Sequence, residues 1–181
     1  MGINLSRLKE FIETGKGKRV LHLGCNVRDL GEGLINVDYA RFPGVDLLAD
    51  LDQPLPFADA SVDGIGMAHV LEHLRYMRFM REALRILKPG KRVYLVVPYY
   101  TSHAAHIGEH VTPGFAWIAF DYFQQPNHPF HAFKVCSNRI VFRGKLKYLN
   151  PLVNCFPRFY DKWLAHLLPA VELEVVLEKR A

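Results

Sequence analysis

Cysteine is scarce in this chain, and long apolar runs are lacking. The three cysteines, Cys25, Cys136 and Cys155, lie far apart and form no CxxC pair. Such spacing argues against both a disulfide framework and a zinc knuckle, so we expect a reducing compartment and a cytoplasmic location. No apolar stretch is long enough to span a bilayer or to resemble a secretory signal, so we expect no membrane partner.

Internal repeats and low-complexity tracts are also missing, which excludes a solenoid and gives no sign of disorder. Half of the 181 residues are apolar and 12% are aromatic, which is enough for a substantial core. No linker composition interrupts the chain. We therefore predict one domain over residues 1–181, in which residues 99–181 differ in pattern from residues 19–98.

The net charge of +5 permits an anionic partner without requiring one, because the lysines and arginines are scattered. Residues 139–147 form the densest basic stretch. Two interpretations stay open: a nucleic-acid or phosphate-binding patch, or the solvated face of a β-hairpin, which we favour.

The first half of the chain alternates apolar runs with helical periodicity. A helix is predicted over residues 75–87, with one apolar stripe and a stop at Lys88-Pro89-Gly90. The runs, several followed directly by an acid, are predicted strands: 19–23, 34–37, 46–49, 64–68 and 92–97. Strands of this kind indicate a mostly parallel sheet covered by helices, an α/β fold.

The remaining segments complete the expected architecture. Further helices are predicted over 5–13, over 112–123 with Thr112 as N-cap and Pro113 after it, and over 158–168. A hairpin over 135–148 and a final strand over 171–177 are also predicted. The helix over 158–168 is expected to turn five apolar side chains inward: Phe159, Tyr160, Trp163, Leu164 and Leu167.

Three polar positions follow the first three strands in the order that a nucleotide-like cofactor needs. Gly24-Cys25-Asn26 offers a tight turn, Asp38 a carboxylate for ribose hydroxyls, and Asp50 a polar group for a base. Each could instead be a simple turn residue. A GxGxxG dinucleotide motif is lacking after the first strand.

Seven short motifs recur in fixed order. They are LHLGC at 21–25, INVD at 35–38, ADLD at 49–52, LPF at 55–57, SVD at 61–63, HVLEH at 69–73 and LKPG at 87–90. Together they resemble a class I S-adenosylmethionine (SAM)-dependent methyltransferase. The resemblance implies a Rossmann-like fold, SAM as cofactor and methyl transfer as activity; it does not identify the acceptor. It also implies that residues 19–98 are the cofactor-binding core and that residues 99–181 form the acceptor-side half.

The resemblance also implies roles for individual residues. Gly24, with Cys25 and Asn26, would lie against the methionine part of SAM, and Asp38 would bind the ribose. Asp50, together with the backbone of Leu51, would face the adenine. His69 would border both the methyl group and the acceptor.

Two departures from the family pattern leave alternatives open. His22 and Asn26 replace an Asp and a Gly of the family's LDLGCG motif. Only ten residues, from Cys25 to Leu34, separate the first two strands, so the connection is shortened and the cofactor wall is expected to be thin. Another segment or a second subunit of a homo-oligomer could complete it. A non-catalytic SAM-binding module that supports a partner, or a nucleic-acid-binding protein, would be the alternative function.

Histidines are concentrated near the expected acceptor side. His69 to His73 and His106 to His110 both match the zinc-peptidase pattern H-x-x-E-H, but the first begins at a strand end and Gly108 disfavours a helix at the second. We therefore predict no metal site. His69, His106 and His110 are the candidate catalytic residues, with a histidine of the loop after strand five as general base; a merely solvated polar loop is the alternative.

Overall fold

A seven-stranded sheet forms the centre of the computed structural model, which describes residues 10–11, 19–26 and 34–181. Its order is β3-β2-β1-β4-β5-β7-β6. The strands are β1 (Val20–Leu23), β2 (Leu34–Asp38), β3 (Leu47–Leu48), β4 (Val62–Ala68), β5 (Leu87–Pro98), β6 (Phe133–Val141) and β7 (Glu172–Lys179). The prediction of a mostly parallel, Rossmann-like sheet is confirmed.

The sheet reverses its strand order at β1, which lies between β2 and β4. All pairings from β3 to β5 are parallel, whereas β7 runs antiparallel to both β5 and β6. In open α/β sheets the crevice at such a reversal, at the carboxyl ends of the strands, is the usual ligand site.

The strands bury opposite faces in alternation, as the two-residue period of a strand requires. Leu21 and Leu23 of β1 join the main core, whereas Val20 joins a smaller cluster on the other face. Phe11 packs against that smaller cluster and stacks near Tyr94 with ring centroids 5.6 Å apart. The sheet is therefore covered on both faces.

Helix α1 (Tyr76–Ile86) matches the predicted amphipathic helix and buries Phe79, Met80, Ala83 and Ile86. It ends at Ile86 because Leu87 adopts an extended backbone and begins β5, which starts earlier than expected. On its outer side, Glu82 accepts the Leu55 backbone N–H at 2.7 Å and pairs with Arg85 at 2.6 Å. The Arg85 hydrogen bond, opposed by burial, lowers the pKa of Glu82.

The predicted helix over 112–123 is wrong in its first part. Thr112 is not an N-cap, because its backbone N–H donates to the Glu72 carbonyl at 2.9 Å. Gly114 then takes a positive φ of 77° and Phe115 bridges to Tyr99 beside β5. The helix, α2, spans only Trp117–Asp121. Asp161, distant in sequence, accepts the first free N–H, that of Trp117, at 3.0 Å.

The predicted hairpin over 135–148 is also wrong. After β6, residues 144–149 form a 3₁₀ helix rather than a returning strand. The outer edge of β6 is instead bound by side-chain amides from helix α3 (Asn150–Cys155). The Asn154 side chain accepts the Ile140 N–H at 2.9 Å and donates to the Ile140 carbonyl at 2.8 Å. The Asn150 side chain makes the same pair of hydrogen bonds with the backbone of Phe142. These amides take the place of a neighbouring strand.

The predicted helix over 158–168 is interrupted and faces the opposite way. It consists of α4 (Pro157–Phe159) and a π-helical turn, Tyr160–Leu164. Among the five side chains expected inside, only Tyr160 is buried; the others are exposed, Phe159 by 57%, Trp163 by 61%, Leu164 by 37% and Leu167 by 81%. Hydrogen bonds decide which side of this segment is buried. The Tyr160 hydroxyl donates to the Leu168 carbonyl, and Asp161 points inward, where it accepts from the Tyr99 hydroxyl.

Two expectations lie largely outside the described residues: the helix over 5–13, of which only residues 10–11 are described, and the link from 27 to 33. In the described part of the chain, no helix has the length and apolar character needed to cross a membrane. Strands from both predicted halves join one sheet. The assignment of residues 1–181 to one domain stays a prediction.

Candidate active site

A cavity of about 630 Å³ opens at the carboxyl ends of β1, β2 and β4, where the strand order reverses. Six residues that the sequence nominated for the cofactor line it: Gly24, Asn26, Asp38, Asp50, Leu51 and His69. The volume falls in the range of about 300–1,000 Å³ that is usual for ligand pockets. Cys25 is buried behind the wall, and burial together with Asp38 raises the pKa of its thiol.

The turn after β1 owes its shape to two left-handed residues. Gly24 has φ 63°, and a Cβ built on it would lie 2.3 Å from a Val70 methyl group. Asn26 has φ 51°, a conformation that asparagine tolerates better than most residues. Asn26 therefore preserves the backbone course that the family's second glycine would allow. His22, the other departure, lies against Asn36 of β2, with 3.1 Å between Nδ1 and Oδ1.

Asp38 is buried at the end of β2, and its carboxylate organises the surrounding loops. One oxygen accepts the Asn26 N–H at 2.8 Å and the other accepts the Ala40 N–H at 3.1 Å. The turn role suggested by the sequence is therefore real. A carboxylate offers about four acceptor sites. Two backbone bonds therefore leave capacity for the hydroxyls of a ribose.

The base-side end of the cavity is formed after β3. Asp50 is exposed and accepts the Asp52 N–H at 2.9 Å, whereas Leu51 is buried beneath it. The Ala49 N–H donates to the Asp38 carbonyl at 2.9 Å, which holds this end beside β2. Tyr39 and Phe42 add aromatic surface to the lining.

His69 stands at the end of β4 between two buried carboxylates. Its Nδ1 lies 3.4 Å from Glu72, and its Nε2 lies 3.2 Å from Glu172 of β7, which also pairs with Arg143. Its φ of 57° is unusual for a residue other than glycine and its N–H is held by the Val96 carbonyl. Both ring nitrogens therefore face carboxylates.

The loop after β5 places the other two candidate histidines differently. His106 ends a 3₁₀ helix (His103–His106), is exposed and does not line the cavity. His110 is half-buried, and its ring lies edge-on to His73 with centroids 4.6 Å apart. Of this loop, Glu109 reaches the cavity lining itself.

The basic stretch at 139–147 begins in β6, the edge strand at the opposite end of the sheet from β3. Arg139, Arg143 and Lys147 contribute to a second cavity of about 380 Å³ that Glu174 also lines. Arg143 is paired with the buried Glu172. The stretch is thus a mixed-charge cleft rather than the face of a hairpin.

Residues 15–95 of the chain match the family described as a methyltransferase domain. This range contains the turn at Gly24, both aspartates and His69. Over these residues the chain carries a methyltransferase-type domain. A curated Mycolicibacterium smegmatis protein that bears the name S-adenosylmethionine-dependent methyltransferase is 35% identical to this chain over 97 residues. The match covers 44% of the chain, and it spans 37% of the relative's length.

Solved structures share the methyltransferase fold over almost the whole chain. A SAM-dependent methyltransferase from Archaeoglobus fulgidus superposes with a TM-score of 0.65 at 18% identity, covering 96% of this chain and 92% of its own. A chain from the complex between the Haloferax volcanii Trm112 methyltransferase activator and a methyltransferase gives 0.59 at 17%, covering 98% and 92%. Geranyl diphosphate C-methyltransferase from Streptomyces coelicolor A3(2), solved with Mg²⁺, geranyl diphosphate and S-adenosyl-L-homocysteine, gives 0.56 at 10%, covering 96% and 79%.

Sequence reasoning missed several residues around the methyltransferase cavity. Tyr39 and Phe42 line the cavity and lie within four residues of Asp38. Their closeness in sequence to the aspartate expected to bind ribose could have indicated them. His73 was noticed only as part of a zinc-peptidase pattern, yet it lines the cavity. Glu172 had no signal, because its approach to His69 depends on the position of β7 in the sheet.

Proposed function

We propose that this domain binds SAM in the cavity beside Gly24 and Asp38 and transfers its methyl group to an acceptor. The observation that carries the proposal is the convergence of the turn after β1, the buried carboxylate after β2 and His69 on one cavity at the strand-order reversal. The arrangement also fits the cofactor chemically. Gly24 allows close backbone approach, and Asp38 keeps acceptor capacity for a ribose.

SAM supplies a methyl group already activated by a sulfonium centre, so the protein needs to orient rather than to activate it. Gly24 and Asn26 would hold the amino-acid end, and Asp38 would fix the ribose. Tyr39, together with the Asp50 end, would enclose the base. Exclusion of water and alignment of the acceptor then account for most of the assistance.

His69 is proposed as a positioning residue instead of a general base. Its ring nitrogens face Glu72 and Glu172, so it joins the end of β4 to the start of β7 and keeps the cavity wall in place. Glu109, which lines the cavity, and His110 behind it remain the candidates for taking a proton from the acceptor. His106 is too remote from the cavity for that role in the present conformation.

The activity is tested in two stages. Calorimetry with SAM and S-adenosylhomocysteine measures binding, with Asp38→Asn as the variant and Asp59→Asn, exposed and outside the cavity, as control. Radiolabelled SAM incubated with a cell extract then reports methyl transfer. We expect saturable binding that Asp38→Asn weakens and the control does not. No heat and no thermal shift with either ligand would refute the proposal.

Histidine variants separate the proposed roles once an acceptor is found. His110→Ala is expected to lower methyl transfer while SAM affinity changes by less than about twofold, or roughly 0.5 kcal/mol. His106→Ala is expected to change neither quantity. A loss of turnover in His106→Ala equal to that in His110→Ala would show that the loop rearranges on binding and would contradict the assignment.

The alternative function of a non-catalytic module that supports a partner has little structural support at the turn after β1. Asn26 retains the left-handed backbone, so the departure from the glycine motif does not disrupt the cavity. The Haloferax volcanii neighbour is nevertheless found with an activator protein. An activating partner for this chain is therefore part of the proposal, and co-purification from native extract is its test.

A further inference from the structure

We propose that Glu72, His73 and His110 form a binding site for a divalent transition metal at the rim of the cofactor cavity. One ligand atom from each of the three lies within 4.8 Å of the others. The 3₁₀ turn Leu71–His73 supplies the first two, and the loop after β5 supplies the third. The loop is tied to this turn by the backbone N–H groups of Val111 and Thr112, both of which donate to the Glu72 carbonyl.

The Glu72 side chain gives the first reason to expect a cation. It is 1% exposed, and one carboxylate oxygen lies 3.4 Å from His69 Nδ1. The other oxygen, Oε2, is buried and has no hydrogen-bond partner among the residues that the structure describes. A buried, unpartnered carboxylate oxygen is costly. A bound metal ion would remove that cost.

The hydrogen bonding of His110 gives the second reason. Its Nδ1 lies 3.2 Å from the Ala105 carbonyl oxygen, which can only accept. Nδ1 must therefore carry the hydrogen, and Nε2 presents a lone pair. Protein metal sites commonly orient a histidine ligand through such a backbone carbonyl.

The donor set indicates the class of metal. Two imidazoles and one carboxylate suit Zn²⁺ and related dications, and three protein ligands leave an open position. Ligand atoms around tetrahedral zinc are about 3.3 Å apart, given bonds of about 2.0–2.1 Å. The three side chains therefore need to close only slightly. His73 lines the cavity, so the open position would face it.

This site was not expected from the sequence, because a zinc-peptidase pattern requires His69 and His73 as joint ligands. Here both nitrogens of His69 face carboxylates, and His110 takes its place. If the proposed methyl transfer is correct, an acceptor hydroxyl or thiol at the open position would lose its proton more easily, since a bound cation lowers its pKa. With the metal bound, His110 would act as a ligand, and Glu109 would be the residue that takes the proton. Metal binding itself does not depend on that function.

The test uses zinc alone. Protein freed of metal with a chelator is titrated with Zn²⁺ in competition with a chromogenic chelator, and Co²⁺ is added separately to record its tetrahedral absorption bands. We expect one equivalent to bind, with affinity at least about 100-fold weaker in Glu72→Gln and in His110→Ala. His103→Ala, exposed in the same loop, is the control and should bind like the parent.

Two results would overturn the site: no stoichiometric Zn²⁺ binding by the parent protein, or equal weakening in His103→Ala. If Glu72→Gln fails to fold, His73→Ala serves instead, because His73 is exposed and its loss should leave the fold intact. SAM binding is measured on the metal-free protein. Failure of the metal site is therefore distinguishable from failure of the proposed methyltransferase function.

The sequence lacks a membrane-spanning run and predicts no membrane partner, but the structure shows a surface feature that the sequence did not: we also propose that an exposed apolar ridge contacts an anionic lipid surface. The ridge consists of Phe156, Phe159, Trp163 and Leu167, spaced three or four residues apart as on one face of a helix. Leu152, in the preceding helix α3, is also exposed. The opposite face, with Tyr160 and Ala165, is buried in the core. An amphipathic segment with aromatics outward is typical of an interfacial helix.

Charge selects the partner. Lys145, Lys147 and Lys162 are exposed, and two of them lie over aromatic rings, with Lys162 4.8 Å from the Trp163 centroid. Asp161 is the only acidic residue in the sequence from 144 to 169, and its side chain points inward to Tyr99. An apolar ridge with a lysine over its tryptophan, in a segment whose exposed charges are mostly positive, fits a membrane surface that carries negative headgroups.

Co-sedimentation with vesicles tests the ridge, using phosphatidylcholine alone and phosphatidylcholine mixed with phosphatidylglycerol. We expect binding to the mixed vesicles, loss of most of it in Trp163→Ala and in Lys162→Glu, and parent-like binding by Leu48→Ala, which removes an exposed side chain at the other sheet edge. Equal binding to neutral vesicles, no binding to mixed vesicles, or self-association that Trp163→Ala abolishes would each overturn the proposal.

Discussion

Substitution of Gly24 by alanine tests the turn on which the cavity depends. The residue has φ 63°, and the added Cβ would lie 2.3 Å and 3.2 Å from the two methyl groups of Val70. A left-handed backbone costs about 1–2 kcal/mol for a residue with a Cβ. Overpacking in a filled interior costs about 1–3 kcal/mol. We therefore expect the free energy of unfolding to fall by about 2–5 kcal/mol.

The two contributions can be separated with a control glycine and a double-mutant cycle. Gly44 also has a positive φ, 85°, but nothing lies within 4 Å of its Cβ position. Gly44→Ala should therefore show only the backbone cost of about 1–2 kcal/mol. In a Val70→Ala background, the cost of Gly24→Ala should fall to the same range, because the clashing methyl groups are gone.

Urea unfolding at 25 °C measures the stability of all five proteins: the parent, the three single variants and the double variant. Calorimetry with SAM then reports on the cavity. Gly24→Ala should also weaken SAM binding, because Val70 can relieve the clash only by moving within the cavity wall. If Gly24→Ala is no less stable than Gly44→Ala, the close approach of Val70 is not what requires glycine. Additive behaviour with Val70→Ala would refute the argument equally well.

Three further predictions concern polar side chains. Asp38→Asn should weaken SAM binding by about 1.5–3 kcal/mol, as expected when a hydrogen bond loses its charge, and Asp50→Asn by less because Asp50 is exposed; calorimetry giving equal losses would contradict the ribose assignment. Glu82 has a pKa held below its usual 4.5, so it stabilises the fold above that pH and the stabilisation is lost as pH falls through the lowered value. The difference in free energy of unfolding between parent and Glu82→Gln should therefore shrink on acidification below about pH 4.5. A difference that grows there would contradict the lowered pKa. Asp161→Asn should lower the free energy of unfolding by about 1–3 kcal/mol in urea, because Asp161 accepts from the buried Tyr99 hydroxyl at 2.5 Å; a change below about 0.5 kcal/mol would show that the bond is dispensable.

The cofactor half of the molecule was predictable from sequence because its signals are local. Each of β1, β2 and β4 is a short, largely apolar run, and the residue that ends it or directly follows it lines the cavity. Parallel strands bring their carboxyl ends to one edge whatever the details of packing. The positions of Gly24, Asp38 and His69 at one cavity follow from that rule alone.

The second half was harder to predict because distant side chains decide its structure. Thr112 looks like a good N-cap, but the N-terminus of α2 is satisfied by Asp161, 44 residues from Trp117. Residues 135–148 look like a hairpin, but Asn154 occupies the edge of β6. Apolar spacing over 158–168 gave a helix without showing which face is buried, and the polar contacts of Asp161 reverse it.

The position of β7 has a consequence for the order of folding. This strand follows β6 in sequence yet lies between β5 and β6, so β6 has no sheet partner among the described strands until β7 is made. Pairings of long sequence separation close slowly. Glu172 at the start of β7 meets His69 103 residues earlier. We therefore expect the cavity wall at His69 to be completed late, after the parallel strands have formed. Until then, the edge of β6 that pairs with β7 is left without a partner strand.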